Sequence, residues 1–169
     1  DEDIVQTQIN ANMGAATIYG ASFEGKWKLA SHFTLSSDLT FTHSNFLEGF
    51  GPLPSILPFY GATMLQFNKD KISIQIRNRF SSAKSPKDYS LGGEDGLDET
   101  PIEINSEGLP QFVGTPSWSV FSLSGSYAWK EYLVIRGGLE NVFDVHYREF
   151  ASGISASGRS LMLGLTLDF

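Results

Sequence analysis

From Ser160 to Phe169 the chain alternates without a break. Leu161, Leu163, Leu165, Leu167 and Phe169 fall on one face of an extended strand, and Ser160, Met162, Gly164, Thr166 and Asp168 on the other. A period of two belongs to β-structure, where successive side chains point to opposite faces. An unbroken apolar face about ten residues long is what a tilted strand needs to cross a bilayer. A half-buried strand of a soluble sheet shows the same alternation, so the decision falls to the other strands and to their connections.

The same period recurs upstream. Between Thr17 and Leu29, the set Tyr19, Ala21, Phe23, Trp27 and Leu29 opposes Ser22, Glu24, Lys26 and Lys28. Phe33, Leu35, Leu39 and Phe41 oppose Thr34, Ser36, Asp38 and Thr40, and Thr63, Leu65 and Phe67 oppose Met64 and Gln66. Ile72, Ile74 and Ile76 oppose Ser73, Gln75, Arg77 and Arg79. Phe121, Leu123, Tyr127 and Trp129 oppose Ser122, Ser124 and Ser126, and Leu133, Ile135 and Leu139 oppose Arg136 and Glu140. With the last strand these make seven. An eighth, from Ile4 to Asn10, alternates mainly among polar residues.

The connections decide between solvents. Three are tight, around Ala30, Lys69 and Lys130, and three are long, at Ser44–Tyr60, Ser81–Ser117 and Val142–Gly158. Tight and long alternate strictly, so all long loops lie at one end of the sheet. A membrane barrel sorts its loops in this way, whereas compact soluble domains rarely carry loops beyond about 15 residues. Trp27, Phe67, Trp129, Tyr132 and Phe169 gather at the tight-turn end, as an interfacial girdle does. The expected fold is all-β, an antiparallel transmembrane β-barrel segment of seven to eight strands.

Composition removes several classes. No run of 18 apolar residues exists, so no transmembrane helix is expected. There is no cysteine, which excludes disulfides, thiolate metal sites and a cysteine nucleophile. A net charge of −7 argues against nucleic acid as a partner. The chain begins at Asp1 without an initiator Met or an apolar signal region, and so reads as a mature or internal piece of something longer.

On the face opposite the apolar one, Glu24, Asp38, Arg77, Arg79, Arg136, Glu140 and Asp168 point inward, where a cross-strand charge ladder is expected. A sharper reading of that surface is a grip for an internal plug domain or a lining for solute. At the loop end, Asn141 and Asp144 flank two apolar residues and are suited to Asx-type turns. Gly158 is expected to take a φ that other residues avoid, and Arg159 to sit at the rim.

The run Glu140-Asn141-Val142-Phe143-Asp144, then Tyr147-Arg148, then Gly158-Arg159 and a strand ending in Phe169, resembles the C-terminal region of TonB-dependent outer-membrane receptors. Ala16-Thr-Ile-Tyr-Gly20 is similar to the start of a family strand, Leu53-Pro54 through Pro58 to a return from an external loop, and Pro116-Ser-Trp118 to the start of another strand. The resemblance implies a 22-stranded barrel in the cell outer membrane, of which residues 1–169 form the C-terminal portion, with plug and remaining strands elsewhere. It implies active import of a scarce nutrient such as an iron-siderophore, haem or cobalamin, with energy from a TonB-type protein acting on the plug. The implied partners are the rest of the receptor, that energy-coupling protein, membrane lipid and lipopolysaccharide, a small-molecule substrate and a surface lipoprotein. No cofactor is implied. A passive porin-like channel and a soluble ligand-binding β-barrel are the two other functions the pattern allows.

Substrate capture is expected on the long loops. Phe46, Phe50, Phe59 and Tyr60 suit an apolar or ring-bearing ligand, and Lys84, Lys87 and Tyr89 an anionic one, with His146, Tyr147 and Arg148 on the last loop. His32, His43 and His146 are scattered, and the acidic run Glu94-Asp95-Gly-Leu-Asp98-Glu99 lacks the spacing of a calcium loop, so a solvated acidic loop is expected and no metal. No nucleophile, base and orienting group fall together, so no enzyme is expected. Face assignment is testable on the last strand. Leu163→Arg is expected to lower the stability of the lipid-inserted barrel by about 2–4 kcal/mol and Thr166→Arg to be tolerated, by denaturant titration in bilayers. The reverse order of severity inverts the faces.

Overall fold

The computed structural model describes residues 15–45 and 51–168. Seven antiparallel strands form one sheet in strict chain order: β1 (Ile18–Ala30), β2 (Phe33–Ser44), β3 (Phe59–Lys69), β4 (Ile72–Ser81), then β7 (Trp118–Lys130), β8 (Leu133–Glu140) and β9 (Ser160–Leu167). A small hairpin, β5 (Ile102–Ile104) and β6 (Pro110–Phe112), lies within the long β4–β7 connection. The expected strand at Ile4–Asn10, like Phe46, Phe50 and Phe169, lies outside the described residues. Among the described residues the sheet is open, with β1 and β9 at its edges.

Register preserves the two faces across all seven strands. Leu35 faces Leu65, Leu65 faces Ile76, Ile76 faces Leu123, and Leu123 faces Leu139, which faces Leu161. A slip of one residue at any pairing would send a whole strand's apolar set to the polar side. Turns of two residues, Ser31-His32, Asp70-Lys71 and Glu131-Tyr132, close one end. Register shifts beside the first and third of these, at Lys28/Ala30 and Ala128/Lys130, mark local bulges.

The apolar residues are outside. Among the described residues the buried apolar ones are Ala62, Tyr89 and Val120, whereas Phe23, Trp27, Ile72, Ile74, Ile76 and Leu123 are all 41–50% exposed. The aromatic girdle at the tight-turn end is built as expected, with Phe33 against Phe67 at 5.0 Å, Phe23 stacked on Trp27 at 5.7 Å, and the Lys130 ammonium over Tyr132. A second girdle, not anticipated from sequence, lines the loop end: Tyr19 with His43, Phe59 with Phe80, and Phe121 with Phe143. From Phe59 to Phe67, β3 advances roughly 27 Å, or about 21 Å along the normal at a tilt of about 40°. That is close to the height of a bilayer's apolar band.

The inner face departs from expectation. Among the described residues no opposite charges pair directly across its strands. Glu24 faces Asp38, a like-charge pair, while Arg77 faces Met64 and Ser122, and Arg79 faces Ala62 and Val120. Charges are met by hydroxyls instead, Ser122 donating to Glu140 and Arg136 to Thr166. Only one described wall charge has an ionic partner, and that partner, Glu149, comes from a loop.

The three long loops are fastened to one another by a buried ion pair. Lys84 and Asp95 meet at 2.8 Å with both side chains 1% exposed. The second oxygen of Asp95 accepts the Ser55 amide of the β2–β3 loop at 2.7 Å. The Lys84 ammonium lies 4.1 Å from the centre of the Phe150 ring of the β8–β9 loop and 5.0 Å from that of Tyr89, whose hydroxyl bonds to Thr115. Lys84 and Thr115 exchange both backbone hydrogen bonds, which requires Gly114: it sits at φ +79, and a Cβ there would lie 2.1 Å from the Lys84 carbonyl. The acidic run is therefore not wholly solvated. Asp95 is buried, while Glu94 stays exposed, its carboxyl held below the ordinary 4.5 first by the Ser90 hydroxyl and then by its own amide.

Breaking such a pair from one side strands a buried charge, at a cost of about 3–5 kcal/mol. Lys84→Met or Asp95→Asn is thus expected to deprotect amides of all three loops in hydrogen exchange, Ser55 and Thr115 included, while the strands stay protected. The double variant Lys84→Met/Asp95→Asn is expected to lose less than the sum. Unchanged loop protection in both single variants would mean that the pair does not fasten the loops.

Candidate functional site

The β8–β9 loop begins in a tightly specified corner. Asn141, 3% exposed and at φ +49, donates its amide to the Val145 and Ser157 carbonyls and accepts the Val145 amide at 2.8 Å. Asp144, at φ +56, accepts the Arg159 amide at 2.7 Å. None of these bonds is the local Asx turn expected: Asn141 reaches Val145 four residues on and Ser157 sixteen residues on, and Asp144 ties Arg159, fifteen residues away. Gly158 differs from expectation. Its φ is not in the left-handed region; instead a Cβ there would meet the Asp144 carboxylate at 2.9 Å, so close approach is what demands glycine. Phe143 leans out against Phe121 at the rim, and Arg159 is exposed there.

This corner delivers three consecutive side chains to three different places. The Arg148 guanidinium donates to the Glu99 carbonyl of the β4–β7 loop. Glu149 meets Arg79 of the wall at 2.6 Å, and Phe150 packs over Lys84. One residue earlier, the Tyr147 ring lies 4.5 Å from that of Trp118, its carbonyl held by the Ala156 amide.

Two hollows result, divided by Trp118. An open cleft of about 380 Å³ lies between the β4–β7 and β8–β9 loops, lined by Glu99, Pro101, Pro116, Trp118, His146, Tyr147 and Arg148 among others. A second hollow of about 340 Å³ lies between the inner face and the β8–β9 loop, lined by Asp38, Tyr60, Arg77, Arg79, Trp118, Glu149 and Phe150. Volumes of this order accept small ligands. The Trp118 indole nitrogen is buried without a hydrogen-bond acceptor among the described residues, an uncommon state for a buried donor. Aromatic faces, one cationic fork and carbonyls can hold a ring-bearing or oxygen-rich ligand. Among the described residues no three His, Asp or Glu side chains converge to hold a metal.

Of the residues singled out from sequence, His146, Tyr147 and Arg148 come together in the cleft. Tyr60 and Phe59 belong to β3 and not to a loop; Tyr60 looks into the second hollow, and Phe59 joins the outer girdle. Lys84 and Tyr89 are buried in the loop fastening and present no side chain to a ligand. Lys87 is exposed away from both hollows, and His43 packs on Tyr19 at the rim. Trp118, Glu99, Glu149 and Phe150 were not anticipated. For Trp118 a signal existed, since it is an aromatic residue at a polar-face position, opposite Ser81.

No family profile and no curated protein sequence matches the chain. Solved structures do. The copper transporter OprC matches with a TM-score of 0.68 at 16% identity, over 91% of this chain and 24% of that one. A mutant of the ferric enterobactin receptor PfeA from Pseudomonas aeruginosa matches with a TM-score of 0.63 at 19% identity, over 94% and 23%. The ferric yersiniabactin uptake receptor FyuA from Yersinia pestis matches with 0.63 at 13%, over 91% and 24%. The chain spans about a quarter of the length of each. Its fold is that of the β-barrel of TonB-dependent outer-membrane receptors, present here as a seven-stranded stretch of wall with its long loops at one rim.

Proposed function

We propose that this chain is the C-terminal part of an active-transport receptor in a Gram-negative outer membrane, importing a scarce nutrient with TonB-derived energy. The observation that carries the reading is the coupling of loops to wall. Three long loops converge at one rim, are fastened by Lys84–Asp95, and reach the inner face of the wall through Glu149. The likeness in fold to a copper transporter and to ferric-siderophore receptors supports import over passive diffusion.

On this reading the cleft at His146, Tyr147, Arg148 and Trp118 makes the first contact with the ligand. Rings provide apolar area at low entropy cost, and Arg148 and the loop carbonyls provide orientation. The cargo belongs to the class of metal chelates, haem or cobalamin; the copper and ferric-siderophore cargoes named for the similar structures support a metal-bearing one. Passage follows rearrangement of a plug, and no covalent chemistry occurs on this chain. The plug, the energy-coupling protein, lipopolysaccharide and a surface lipoprotein are the partners of that reading.

The test is uptake of labelled ferric-siderophores, haem and cobalamin by cells that carry the full receptor, with and without TonB or a proton gradient. Uptake of one cargo that stops on loss of either is expected. Tyr147→Ala is expected to weaken its binding roughly tenfold or more, as for a central aromatic anchor, with barrel insertion unchanged. Uptake that persists without TonB and the gradient, together with steady ion conductance in planar bilayers, would identify a passive channel instead.

A further inference from the structure

Arg79 and Glu149 form an ion pair that is short, at 2.6 Å, yet open to water, with side chains 44% and 50% exposed in that order. Such exposed pairs add little to stability. Around this weak contact, donors remain unused. Arg79 has five N–H donors, and Glu149 takes one of them among the described residues. Across the strands Arg79 faces Ala62 and Val120, both apolar and buried, so its directly paired neighbours offer no countercharge. Its guanidinium lies 5.6 Å from the centre of the Trp118 ring, whose buried indole N–H has no acceptor among the described residues. Trp118 is covered by Tyr147 of the same loop that supplies Glu149.

Charge in the hollow points to what fits there. Its lining holds two arginines, Arg77 and Arg79, and two carboxylates, Asp38 and Glu149. Asp38 belongs to the wall, on β2, and makes no ion pair with either arginine among the described residues. Glu149 belongs to a loop and can leave. Its departure would give the hollow one net positive charge and free two donor groups, the Arg79 fork and, once Tyr147 moves with the loop, the Trp118 N–H.

We propose that Arg79 and Trp118 form a binding site for an oxyanion group of the ligand, a carboxylate or a comparable chelate oxygen, and that Glu149 is a resident carboxylate occupying the site until the ligand displaces it. The inference rests on the transport reading above and deepens it. Exchange of one carboxylate for another at Arg79 costs little, because charge balance is kept and only a solvent-exposed pair is broken. Its consequence is mechanical: Glu149 sits between Arg148, held by Glu99, and Phe150, held over Lys84, so displacing it pulls on both attachments of the β8–β9 loop. Ligand arrival at the inner face is thereby converted into loosening of the loop above.

The experiment is citrate titration of the full receptor in detergent, with glycerol as neutral control, beside hydrogen exchange of the β8–β9 loop. Glu149→Gln keeps the shape and removes the competitor. Its citrate affinity is expected to rise about two- to fivefold, the range of an exposed pair, with faster exchange in the loop. Arg79→Gln should lower affinity about tenfold or more, and Arg79→Gln/Glu149→Gln should behave like Arg79→Gln alone. Trp118→Phe keeps the ring and loses the donor, and a severalfold loss is expected with unchanged loop exchange in the absence of citrate. An unchanged or lower affinity in Glu149→Gln, or full affinity in Arg79→Gln, overturns the site. Either result leaves energy-dependent uptake standing, whereas absent uptake with intact citrate exchange would overturn transport and leave the site.

Discussion

Everything in this structure depends on one constraint, that backbone hydrogen bonds be closed strand to strand while apolar side chains face outward. In lipid each unmet N–H or C=O is costly, so a spanning chain must pair every residue along the wall. Strict register then sorts side chains for the full width of seven strands, as the line from Trp27 through Leu35, Leu65, Ile76, Leu123 and Leu139 to Leu161 shows. The polar face follows from the same register. It is a wet wall of serines, threonines and isolated charges, and hydroxyls, not opposite charges, satisfy Glu140 and Arg136.

Above the wall the logic changes. Loops at the rim cannot rely on ladder pairing, so they are organised by a few expensive contacts. Lys84–Asp95 is the main one, since a buried pair tolerates little displacement of either partner. Around it, Ser55, Tyr89, Thr115 and Phe150 bring segments 26, 40 and 66 positions apart in sequence into one cluster. The site is made by what this cluster leaves open, and Arg148, Glu149 and Phe150 set the geometry by pointing to loop, wall and cluster in turn.

How much of this was legible depends on whether a feature is local. Alternation and loop sorting are local, so the seven strands of the main sheet, their order and the tight-turn girdle could be read from residues alone, whereas the short β5–β6 hairpin within a loop could not. Strand ends were shifted, because β3 begins at Phe59 and β7 at Trp118: pairing continues past the point where alternation becomes conspicuous. Contacts between loops have no periodicity. Nothing in the spacing of Lys84 and Asp95 announces burial, and an exposed loop lysine was the natural reading. Gly158 illustrates the same limit, since its need for glycine comes from Asp144, fourteen residues away, and not from its own backbone angle. Trp118 was legible in part, as an aromatic on the polar parity, but its neighbours Tyr147 and Arg79 were not.

The most direct measurement is a nitroxide scan of the full barrel in liposomes, moving one spin label through each residue of β7 from Ser122 to Ala128. Collision with dissolved oxygen reports lipid, and collision with a water-soluble nickel chelate reports water. The account predicts strict alternation, with oxygen dominant at Leu123, Gly125 and Tyr127 and the chelate dominant at Ser122, Ser124, Ser126 and Ala128. Equal access of the chelate to both sets would contradict it, because the apolar face would then be in water and the wall would not be a membrane wall.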